Sequence, residues 1–175
     1  EHTSIAYRSS QTGKTFLYVL QGSSIIEGFK DGIVYVGEIQ PNGNVINWRQ
    51  TTGLGSLARA NHASILYEDP STNEVYIYII GGNGCAGKVS FAKIVDHDIG
   101  LLGNWQTSNF NLDGTMGPGA DCNTDGVASG GAFIDGNTVY LIGGNYIVGG
   151  GAGSSVVSEV RWNVIGANGE FTQNW

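Results

Sequence analysis

Val75-Tyr76-Ile77-Tyr78-Ile79-Ile80-Gly81-Gly82 decides how this chain is read. β-branched and aromatic side chains fill the first six positions, and a glycine pair ends the run, so it reads as a buried strand with a stop. The pattern recurs downstream as Thr138-Val139-Tyr140-Leu141-Ile142-Gly143-Gly144 and, more weakly, upstream as Thr15-Phe16-Leu17-Tyr18-Val19-Leu20-Gln21-Gly22. The closing glycines at 22, 82 and 144 are 60 and 62 residues apart. A period of that size means a repeated supersecondary unit.

Each copy carries more than its strand. An apolar strand precedes it: Thr3–Tyr7, Ala63–Tyr67 and Ser129–Phe133. A variable loop and a third strand follow it: Ile33–Ile39, Val89–Ile94 and Val156–Val164. A polar, glycine-bearing turn then leads to a tryptophan, at Trp48, Trp105 and Trp175. The expected fold is all-β: three four-stranded antiparallel units, spanning 1–48, 49–105 with its entry loop, and 106–175 with its entry loop, together one partial domain.

This succession of strand, strand closing on Gly-Gly, third strand and terminal Trp resembles the Kelch repeat, one blade of a β-propeller. Arg59-x-x-His62 resembles the entry of that family into its first strand. The likeness covers nearly the whole chain and is best in the second unit. The first departs at Gln21, and the third has Ala128 where His62 aligns. The long Asn-Gly turn before Trp is similar to a bacterial surface variety of these repeats. The resemblance implies a scaffold for binding or assembly at a cell surface or outside the cell, such as adhesion or recognition of a protein or glycan. The alternative it implies is part of a carbohydrate-active or oxidase-type propeller enzyme, with active residues outside this chain.

Composition fits this picture. Among 175 residues, 29 glycines and a charged fraction of only 13% suit many short strands joined by tight turns. A net charge of −7 repels phosphate backbones and argues against nucleic acid as a partner. No apolar run is long enough to span a membrane. The chain opens on Glu1 with no Met and no basic-then-apolar segment. Either a leader was removed or the chain is part of a longer protein.

Loops after the second and fourth strands of a unit emerge at one end, because successive strands alternate direction. Cys85 and Cys122 lie in two such loops of the second unit, so a disulfide between them is expected; the alternative is two free thiols. The same loops carry the candidate binding residues: Ile25 and Phe29 in the first unit, Asn83 in the second, Asp121 and Asp125 in the following crossing, and Asn145 and Tyr146 in the third. Ile25 and Phe29 either dock a partner or fold back on their own unit. The glycine run 149–151 lacks the helix that a phosphate cradle requires and reads as a flexible loop.

Evidence for chemistry is thin. Asp121 and Asp125 are weak calcium candidates, off the EF-hand spacing; no other cofactor is indicated. His2 and His62 align on neighbouring first strands without a third ligand, so packing explains them better than a metal. Asp96-His97-Asp98-Ile99-Gly100 is a hairpin turn, not an Asp-box. No nucleophile elbow or metalloprotease helix is present, so no catalytic residue is assigned. The implied partners are therefore a protein or glycan ligand, and either further blades of the same protein or a second copy completing a ring.

Overall fold

A computed structural model describes residues 2–20, 32–83, 85, 87–110, 112, 126–148, 153–173 and 175. The first sheet follows chain order: β1 (Thr3–Arg8), β2 (Thr15–Leu20), β3 (Val34–Ile39) and β4 (Val45–Thr51), all antiparallel. Alternation works as the period of two requires. Phe16, Tyr18 and Leu20 of β2 are buried, and the residues between them are half-exposed.

The second sheet holds β5 (Ala63–Glu68), β6 (Val75–Ile80), β7 (Val89–Asp96) and β8 (Leu101–Leu102), and β9 (Gln106–Thr107) also pairs with β7. An irregularity between Ile94 and Asp96 breaks the register, so the fourth-strand position is shared by two short strands on either side of Trp105. All six residues of β6 are buried, which explains why it shows no alternation: both of its faces are covered.

The third unit departs from expectation. β11 (Gly131–Asp135), β12 (Thr138–Ile142) and β15 (Val160–Val164) form one sheet. β10 (Gly126–Ala128), β13 (Asn145–Val148) and β14 (Gly153–Val156) form another. The loop expected from Asn145 to Ser155 thus supplies two strands on either side of 149–152, which lie outside the described residues. The third strand expected from Val156 to Val164 is divided, because the chain turns between them: the Gly143 amide donates to Glu159 O and the Val157 amide to Gly144 O, both at 2.9 Å. A fourth strand is reduced to the bridge between Ile165 and Phe171.

β1 and β11 both lie beside β5, so the first strands of the three units are neighbours. Two apolar layers join the sheets. Phe16, Tyr18, Leu20 and Val36 pack on Ile77, Ile79, Ala92 and Ile94. The opposite face of the second sheet, with Tyr76, Tyr78 and Phe91, packs on Val139, Leu141, Ile165 and Phe171. Full burial of each such side chain stabilises by roughly 1.5–3 kcal/mol.

One contact is repeated. Tyr18 Oη donates to Gly100 O at 3.0 Å, and Tyr78 Oη donates to Gly169 O at 2.8 Å. In both cases a second-strand tyrosine reaches the glycine turn of the next sheet. The tryptophans follow the same logic. Trp105 lies against the layer between the first two sheets, its indole N–H on Thr52 O at 2.8 Å. Trp175 packs at the next layer, edge-on to Phe171. Trp48, which aligns with them, is 48% exposed: no described sheet lies against it as the first sheet lies against Trp105.

Candidate functional site

The ends of the second and third strands and the crossing segments meet at one end of the sheets. Gly82 N–H donates to Val127 O at 2.9 Å, and Asn83 and Ala60 form a β-bridge. Ser129 N–H donates to Asn61 O at 2.7 Å. In turn, Val127 pairs with Tyr146 and Ala128 with Asn145. Asn83 from one loop, and Asn145 and Tyr146 from another, are therefore linked through one backbone network, each half-buried.

Arg59 braces this end from below. Only 1% exposed, it donates to the carbonyls of Cys85 at 3.2 Å and Lys88 at 3.0 Å, and to Ser90 Oγ. Burial lowers its pKa to about 9, and its Nε has no acceptor among the described residues. A second guanidinium, Arg161, lies 5.9 Å from the centre of the Tyr146 ring and donates to Leu112 O. Neither arginine was singled out as a support for the loops. The signal for Arg59 was present: it is a lone cation in Leu57-Ala58-Arg59-Ala60.

His62 is buried, with a partner at each ring nitrogen. Its Nε2 is 2.8 Å from Thr3 Oγ1 and its Nδ1 is 3.2 Å from Arg59 O. The consistent arrangement is a neutral ring that donates from Nδ1 and accepts at Nε2. Burial, followed by the nearby Arg59 charge, depresses its pKa to about 4. His97 is remote from it and meets Tyr7 Oη at 3.1 Å across the first two sheets.

Ile25, Phe29, Asp121, Asp125 and Cys122 lie outside the described residues. Among the described residues, no group of three or more His, Cys, Asp or Glu side chains is placed to hold a metal. No described helix is long and apolar enough to cross a membrane. At the opposite end of the described strands a cleft of about 670 Å³ opens between the turns at 68–72 and 165–168, away from Asn83, Asn145 and Tyr146.

No family model and no curated protein matches this sequence. A solved structure does: a thermostable family-43 glycoside hydrolase, with a TM-score of 0.52 and 13% identity, covering 96% of this chain and 55% of that one. The fold is propeller-like and all-β. The chain spans about half the length of that neighbour. At this identity the likeness concerns the scaffold, whose fold does not carry a function with it.

Proposed function

We propose that the chain is a recognition and assembly module, made of Kelch-like blades, that acts outside the cell or at its surface and takes a protein or glycan ligand on its loop-bearing end. The observation that supports this best is the joining of Asn83, Asn145 and Tyr146 through one backbone network, backed by the buried Arg59. Amide and phenol groups on a rigid floor suit hydroxyl-rich or peptide ligands, and loops on a stiff scaffold are where binding usually resides. A Cys85–Cys122 bridge belongs to the same proposal. Cys85 is fully buried. A bridge there would tie the second unit's loop to the crossing that follows, in an oxidising setting.

The second reading is part of a carbohydrate-active propeller enzyme, favoured by the structural likeness to a glycoside hydrolase. One preparation tests both. It is applied to a glycan array and to a hydrolysis assay on the glycans it retains, and the bound ligand is mapped by hydrogen exchange. Retention without turnover is expected, with protection around Asn83 and residues 145–146. Turnover would establish the second reading. Protection confined to the cleft near Ser71 and Asn168 would move the site to the other end.

A further inference from the structure

We propose that the exposed face of β12 and β15 docks the first sheet of a second copy of this chain, repeating the contact that already joins its own sheets. The register supplies the argument. Tyr140 pairs with Phe133 and Trp162, as Tyr78 pairs with Ile65 and Phe91. Ile142 pairs with Val160 where Ile80 pairs with Val89. In the second sheet these positions are at most 6% exposed, because the third sheet covers them. In the third sheet Phe133, Ile142, Val160 and Trp162 are 47–59% exposed. An aligned apolar patch of this kind marks a contact surface.

The same chain carries the complementary half. In the turn after β3, Gln40 N–H donates to Asn44 O at 2.8 Å; in the turn after β15, Gly166 N–H donates to Glu170 O at 2.8 Å. Gly43 therefore stands where Gly169 stands. Gly169 is pressed against Tyr76 and accepts from Tyr78, whereas nothing lies within 4 Å of the Cβ position of Gly43. The β2 residues Leu17 and Val19 correspond in register to Ile77 and Ile79 of the second sheet, which are fully buried against the sheet before them. Trp48, exposed above Gly37, matches Trp105. Docking sets Tyr140 Oη to donate to Gly43 O of the second copy and covers Trp48. The contact is head to tail, so each copy keeps one free face unless the pair closes. The proposal concerns assembly and does not depend on the ligand-binding reading.

Sedimentation velocity of the 175-residue chain across a concentration series tests it, with Trp162→Glu and Trp48→Glu as single-face variants. The wild type is expected to associate. Each variant alone is expected to be a monomer, and an equal mixture is expected to form a one-to-one pair that grows no further. Tyr140→Phe should weaken wild-type association several-fold without changing the melting temperature. If Trp162→Glu fails to fold, Val160→Glu replaces it. A wild type that is monomeric at every concentration overturns the proposal. So does a Trp48→Glu variant that self-associates like the wild type, since the face would then pair with itself. A longer natural chain that stays monomeric while this one associates would assign the face to a further blade instead. Mass, unlike glycan retention, reports only on this contact.

Discussion

Gly169 and Gly43 hold corresponding positions in the turns after β15 and β3, and among the described residues only Gly169 has a neighbour against it. Gly169 has φ +76°, and a Cβ there would stand 2.8 Å from the Tyr76 ring. Gly43 has φ +84° and open space. A left-handed alanine costs about 1–2 kcal/mol at either site. Overpacking adds roughly 1–3 kcal/mol at Gly169 alone. Gly169→Ala should therefore lower the urea midpoint clearly more than Gly43→Ala, measured on monomeric protein. His62 gives a second expectation. Its pKa falls from 6.5 in the unfolded chain to about 4 in the fold, so the fold prefers the neutral ring. That contribution is complete above pH 6.5 and is lost as the pH falls towards 4, for a total of about 3 kcal/mol. His62→Gln should flatten the slope of stability against pH in this window; an unchanged slope would place the titration elsewhere. The alignment of Tyr18, Tyr78 and Tyr140 is legible in the sequence because each precedes the closing glycine of its run, at 22, 82 and 144, by the same offset. Their acceptors were not, because Gly100 and Gly169 lie 82 and 91 residues away in the chain.

At the scale of elements, the tryptophans separate what a repeat predicts from what its surroundings supply. Trp105 and Trp48 hold equivalent places in two units, but only Trp105 has a sheet in front of it. Trp105→Ala should destabilise by about 2–4 kcal/mol, through lost packing and a lost hydrogen bond. Trp48→Ala should cost less than about 1 kcal/mol in the monomer. Thermal melts of the two variants decide this, and equal shifts would contradict the account of why Trp48 is exposed. The strands of the first two units were legible because their apolar residues alternate or run unbroken between turn signals. The third unit was legible only through β11 and β12. Its glycine-rich stretch concealed a hairpin, since β13 and β14 contain Asn145, Gly153 and Ser155, residues with little strand preference. Pairing with β10 holds them extended, and no local pattern announces that partner. The candidate site shows the same limit. Asn83, Asn145 and Tyr146 could be chosen for being in loops, but their joining through Val127 depends on β10, which was read as part of a crossing.

For the whole molecule, protection should be graded from the middle outward. β6 is covered on both faces and β7 is largely buried, whereas the first and third sheets each expose one apolar side. Native-state hydrogen exchange should find the slowest amides in β6 and β7 and faster exchange in β12 and β15. Uniform protection across the three units would mean that the outer faces are covered in solution. The architecture was legible at this scale because a repeat near 60 residues survives local departures such as Gln21 and Ala128. The division of the third unit into two sheets adds to that plan without disturbing the order of the first strands.

The closure at Gly143 and Glu159 makes the excursion that carries β13 and β14 modular. The chain leaves β12, forms that hairpin and returns beside its point of departure, where two backbone hydrogen bonds pin the neck. β12 and β15 pair with each other and need nothing from the excursion for their register. A foreign peptide with closely spaced ends, placed between Val148 and Gly153, would leave that neck and the pairing of β13 with β10 in place, on a stem that the scaffold already holds shut.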